Sequence, residues 1–224
     1  MKEGNHSLRS VLRHPVTYAV ASGICITIDS LLDYVGGRAG FPLAIGFLPA
    51  GLLPWCGAII CGVGMVGFAV WFLIRKRRIG PVVLAFAILT AFWALPRQIL
   101  PTKPFLMGFH HHVYSRTTVN DLRAVAVMAR SSGDFFLPGP GKWSLWEPAK
   151  HAAKWEELEK VPSFGRLDRS VVVTAHDGIV QMNWGGALVG HWGIRIHPSL
   201  VSRAPSDYAY WATQPDIAVF MTSE

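Results

Sequence analysis

The sequence predicts a membrane protein in two parts: an N-terminal α-helical transmembrane bundle, then a small α+β domain built on an antiparallel sheet. Three observations predict it. Arg75, Lys76, Arg77 and Arg78 form an unbroken basic run between one charge-free stretch, Trp55 to Ile74, and a second, Ile79 to Leu95. Residues 1–100 hold nine Lys or Arg against three acids, a net of +6, whereas residues 101–224 hold twelve against eleven, a net of +1. Between Ser170 and His197, apolar and polar side chains alternate around glycine-bearing turns.

Val16 to Val35 reads as a first span, preceded by Lys2, Arg9 and Arg13. Asp29 and Asp33 lie in it four residues apart, so they share one helical face, and they fall near its outer end, where water is close. A cleaved signal peptide is the rival reading, but no small-x-small site follows at the right distance. Phe41 to Pro54, with Pro42, Pro49 and Pro54, reads as a loop or re-entrant piece.

Trp55 to Ile74 covers 20 residues, enough at 1.5 Å per residue to cross a hydrocarbon layer of about 30 Å. Trp55 and Trp93 fall at the ends that share one interface and Trp71 near the other, as an aromatic belt requires. Gly57, Gly62, Gly64 and Gly67 keep this helix slim enough for close packing. Lys and Arg near span ends stay on the cytoplasmic side, so the turn at 75–78 is cytoplasmic and the chain leaves the membrane on the opposite face. The domain boundary is set at 104/105, with spans at about 16–35, 55–74 and 79–95, or only the last two if the first segment does not cross. No His, Lys, Arg or Glu lies within the two clear spans, which argues against an electron-carrying or ion-pumping core.

Residues 105–224 are expected outside the cytoplasm, periplasmic or at the cell surface in a bacterium. The three cysteines, Cys25, Cys56 and Cys61, all lie in apolar segments, so this domain must hold together by its core alone. Thr117 to Ser132 reads as a helix capped by Thr118 and stopped by Gly133, and Pro148 to Lys160 as a second. Pro138, Gly139, Pro140 and Gly141 force a loop between them. Asp177 and Gly178 supply a two-residue turn that pairs Ala175 with Val180, Val173 with Met182 and Val171 with Trp184. A three-residue loop at Gly185 to Ala187 then pairs Trp184 with Leu188, Met182 with Gly190 and Val180 with Trp192. Tyr208 to Thr213 and Asp216 to Thr222 are further strands, giving a sheet of four to six strands with two helices.

The face opposite the core collects Thr174, His176, Gln181, Asn183, His191, Arg195 and His197, with Thr174, Gln181 and His191 in one row. Such a face is either an interaction surface or the ordinary wet side of an antiparallel sheet. Trp143 and Trp146, in a Pro/Gly loop, read as exposed contact anchors. His110, His111 and His112 invite a metal reading, but consecutive residues seldom converge on one ion, and His191 and His197 stand roughly 20 Å apart along a strand.

No G-x-S-x-G, no H-E-x-x-H and no cysteine nucleophile occurs in residues 105–224. Gly139 to Lys142 is preceded by Phe136 and followed by Trp143, where a phosphate loop needs Gly and Ser or Thr. The expectation is therefore a non-enzymatic accessory or interaction subunit with no catalytic residue, cofactor or metal. The alternative is a membrane-anchored enzyme or metal-binding domain using the sheet face around His176 and His191. Expected partners are the bilayer, its anionic headgroups meeting Arg75, Lys76, Arg77 and Arg78, and another membrane or extracytoplasmic protein. Nucleic acid is not among them, because the basic excess flanks apolar spans.

Overall fold

A computed structural model describes residues 14–40, 48–75, 79–100, 102–131, 133, 135–137, 148–167, 171–184, 191–198 and 208–222. In chain order these form α1 (Pro15–Ala39), α2 (Leu48–Ile74), α3 (Gly80–Ile99), α4 (Pro104–Tyr114), α5 (Val119–Arg130), β1 (Phe135–Leu137), α6 (Pro148–Glu159), a 3-10 turn (Phe164–Arg166), β2 (Val172–His176), β3 (Ile179–Asn183), β4 (Trp192–Ile196), β5 (Tyr208–Ala212) and β6 (Ile217–Thr222). They fall into two compact units, Met1–Asp33 with Leu43–Pro101, and Tyr34–Pro42 with Thr102–Glu224.

In the first unit, α1 and the Cys56–Ile74 part of α2 are long and apolar enough to cross a membrane. Of the three expected spans, the third has a shorter apolar run, Gly80–Ala94. Helix α2 begins at Leu48, within the segment expected to loop as far as Pro54. Pro49 sits at its second residue, where a missing N–H costs nothing, and Pro54 removes one bond from a helix 27 residues long. Residues 41–47 of that expected loop lie outside the described residues.

The glycines of α2 divide by face. A Cβ on Gly57 would meet Cys25 Sγ at 2.8 Å and one on Gly64 would meet the Tyr18 ring at 2.9 Å, whereas Gly62 and Gly67 open onto empty space. Positions 57 and 64 are seven apart and share a helical face, so two of the four glycines serve packing against α1. Ser22 Oγ donates to Ala58 O across the same contact at 3.4 Å.

The second unit is a six-stranded antiparallel sheet, ordered β1-β2-β3-β4-β6-β5, with one face packed by helices. Thr118 caps α5 by accepting from the Asp121 amide at 3.1 Å, worth about 1 kcal/mol, and Gly133 follows the helix at φ 72°. Two elements were not expected from the sequence. Among the described residues three helices rather than two fold with the sheet: α4 has Pro104 in its first turn and buries Phe105, Leu106, Phe109 and Val113 on one face. Strand β1 adds three residues at the sheet edge, pairing Leu137 with Val173.

The β2–β3 register is the expected one, with Ala175 opposite Val180 and Val173 opposite Met182. Asp177 at φ 51° and Gly178 at φ 73° make the turn left-handed at both central residues, which suits the strand twist. The β3–β4 register differs from expectation. Val180 faces Ile196, Gln181 faces Arg195 and Met182 faces Ile194, and the Trp184 amide donates to Trp192 O at 2.9 Å. Strand β4 is thus shifted by four residues from a three-residue loop. Because the shift is even, Trp192, Ile194 and Ile196 keep their inward face. It gains large apolar pairs where the expected register set Met182 against Gly190, and β6 supports it by pairing Val219 with Ile194 and Ile217 with Ile196. Residues 185–190, which carry the turn itself, lie outside the described residues.

Tyr34–Gly40, the end of α1 and the turn after it, belongs to this second unit. A Cβ on Gly37 would collide with the backbone of Phe105 and Phe109, and one on Gly108 with that of Tyr34 and Arg38. Helix α1 therefore meets α4 backbone to backbone, a contact that only glycine on both sides permits. Gly40, at φ 85°, lies against the buried His112 ring, whose Nδ1 is 3.0 Å from Arg38 O. Trp192 Nε1 donates to Gly40 O at 3.1 Å.

Candidate functional site

Alternation along the strands sends Thr174, Gln181, Asn183, Arg195 and His197 to the face opposite the core. The actual row across β2, β3 and β4 is Thr174, Gln181 and Arg195. Arg195 occupies the place expected for His191, a direct consequence of the longer β3–β4 connection. Arg195 Nη2 donates to Gln181 Oε1 at 3.0 Å, and Gln181 Nε2 donates to Asn183 Oδ1 at 2.8 Å. Three polar side chains are thereby held in one hydrogen-bonded line.

This face is not simply wet. Ala218 and Phe220, on the same side of neighbouring β6, are fully buried, and Val172 nearly so. The Arg195 guanidinium lies 5.5 Å from the Phe220 ring centroid, so its planar charge covers an aromatic face. Further along, the Tyr210 hydroxyl and His197 Nε2 are 3.0 Å apart. Burial holds the His197 imidazole below its ordinary pKa, and the nearby Arg195 and Arg130 charges act in the same direction. Burial likewise raises the Tyr210 phenol, with Arg195 opposing it. A fixed guanidinium, two ordered amides and a neutral imidazole make a surface suited to hydrogen-bonding carboxylate or backbone carbonyl groups.

The remaining candidates are dispersed. His176 is exposed at the β2–β3 turn, 3.3 Å from the Asp177 carboxylate. His191 precedes β4 at the other end of the sheet, where its amide donates to Thr222 Oγ1 at 2.8 Å. The register levels His176 with His197, six strand positions from His191, so the two are separated by on the order of 20 Å. The three consecutive histidines diverge. His110 packs between Tyr114 and Trp211, with centroids at 4.4 and 4.9 Å, His111 is exposed and His112 is buried. Burial, then the neighbouring His111, lowers the His110 pKa. Among the described residues, no three His, Cys, Asp or Glu side chains come together as a metal site would need.

Trp143, Trp146, Lys76, Arg77 and Arg78 lie outside the described residues; Arg75 is exposed just after α2. Reading the sequence missed Phe220 and Tyr210 as members of the polar face. Their strands show no polar–apolar alternation, Ile217 to Phe220 being buried on both faces, and which strand borders β4 is a matter of topology.

No family model, no curated protein and no solved structure matches this chain.

Proposed function

We propose that this chain is an integral membrane protein whose sheet unit serves, outside the cytoplasm, as a non-enzymatic interaction module. The observation that carries the reading is apolar helix left uncovered. Only 22% of the apolar window of α1 and 11% of that of α2 is buried by the chain itself. A core helix of a water-soluble protein is mostly covered by its own fold, yet Ile60 and Ile74 stand 68% and 74% exposed. Apolar surface of this kind suits hydrocarbon.

Orientation follows from Arg75, Lys76, Arg77 and Arg78, which keep the α2–α3 turn on the cytoplasmic side and meet anionic headgroups with about 1 kcal/mol each. Residues 105–224 are then extracytoplasmic. The line of Asn183, Gln181 and Arg195 is the contact surface favoured for a protein partner, with Trp143 and Trp146 as further anchors.

Single-cysteine labelling with a membrane-impermeant maleimide tests the topology. Ser131→Cys should label in intact cells and Ile79→Cys only after permeabilisation; the reverse pattern overturns the orientation. A photo-crosslinking residue at position 174 tests the interaction. The expected result is a discrete crosslinked product in intact membranes that Arg195→Ala removes, and no product, or one indifferent to Arg195, sinks the reading.

A further inference from the structure

We propose that Tyr34–Gly40 is a strap by which α1 controls the order of the sheet end carrying Asn183 and His191. The inference deepens the interaction reading above and rests on it for its functional meaning. The last residues of α1 belong to the sheet unit. Three independent contacts hold them there.

The first is steric. Gly37 and Gly108 face one another so closely that a Cβ on either would strike the backbone of the opposite helix. The second is the His112 ring, buried against Gly40 with Nδ1 3.0 Å from Arg38 O. The third is the Trp192 indole, which donates to Gly40 O at 3.1 Å across 152 residues of sequence.

Trp192 is the first residue of β4 and 4% exposed. Its own carbonyl accepts from the Trp184 amide at 2.9 Å, and its neighbour Gly193 pairs with Asn183. Next to it, His191 O accepts from the Thr222 amide at 2.7 Å and the His191 amide donates to Thr222 Oγ1. The strap thus grips the residue from which the β3–β4 and β4–β6 ladders both begin. Phe105 and Phe109 of α4 complete the grip, meeting Trp192 and Trp184 edge to face at 5.7 and 5.1 Å. With the strap seated, this end of the sheet is pinned and Asn183 is set in line with Gln181. With it released, Trp192 loses its anchor and the ladder frays from that end, while the β2–β3 turn end is untouched.

Amide hydrogen exchange on the full chain in lipid nanodiscs tests this. Gly37→Leu abolishes the helix contact, and should the leucine variant fail to fold, Trp192→Phe deletes the indole donor together with part of the ring, while keeping an aromatic side chain against Phe105. Gly62→Leu, on open helix surface, is the control. Exchange at the amides of Trp184, His191 and Thr222 should rise about tenfold or more in both strap variants, with the amides of Ala175 and Val180 unchanged and the control like wild type. Unchanged exchange in Trp192→Phe overturns the proposal. So does an equal rise across all six strands, because the strap would then contribute only global stability. Crosslinking lost in Arg195→Ala with these amides unmoved supports the interaction reading separately, so the two can fail independently.

Discussion

Arg130 donates from Nε to Gly178 O at 2.6 Å, joining the last turn of α5 to the β2–β3 turn. Its Nη2 lies 3.3 Å from Ile196 O at the end of β4. One guanidinium therefore closes the sheet at the end opposite Trp192.

Replacing Arg130 with Met keeps the stem and deletes both donors. Hydrogen bonds from a charged donor contribute about 1.5 to 3 kcal/mol, and partial solvation here places the expected loss near the lower figure. Denaturant midpoints in detergent check it. A variant as stable as wild type would show that the two carbonyls are satisfied by water.

Gly193→Ala should cost more than its size suggests. A Cβ there would strike Met182 O and lie 3.2 Å from Asn183 Cα, so the β3–β4 ladder has to spread. Overpacking of this kind costs about 1 to 3 kcal/mol. The expected signs are a lower unfolding temperature and faster exchange at the Trp184 amide; unaltered values would refute the close approach.

Two carboxylates make stability acid-sensitive. Hydrogen bonds from Ser163 and Thr118 hold Asp121 below the usual carboxylate range, and the Arg123 hydrogen bonds do the same for Asp216. A depressed folded-state pKa means that the unfolded chain binds more protons in the window between the two values. Their contribution is therefore complete above about pH 4 to 5 and lost as pH falls through the folded values. Asp216→Asn should flatten the acid limb of a stability–pH curve, and an unaltered limb would exclude it.

His110 and His197 act at higher pH with the same sign. Both are held below the ordinary imidazole value chiefly by burial, so the unfolded chain takes up protons first. Stability should decline as pH drops below about 6.5. His197→Gln, which retains a polar partner for Tyr210, should reduce that decline; a curve superimposable on wild type would remove His197 from the account.

Much of this architecture was legible because it rests on local chemistry. The Thr118 cap, the Gly133 stop and the Asp177–Gly178 turn need only neighbouring residues, and a two-residue turn leaves one register for β2 and β3. The longer connection after Trp184 leaves several, all keeping the same inward face, and only pairing with β6 selects among them. That choice brought Arg195, not His191, into line with Gln181. Helix α4 escaped notice because its three histidines interrupt the apolar pattern and Lys103 gives no side-chain cap.

By itself the sequence determined the division of charge, which is compositional, and the apolar helices, the β2–β3 hairpin and the inward side of β2, β3 and β4, which periodicities of two and 3.6 residues set. Tertiary structure alone decided what crosses long separations in the chain. Gly37 meets Gly108, Trp192 reaches Gly40 and Arg195 covers Phe220 because backbone proximity and burial depend on which elements fold together, and no local pattern encodes that.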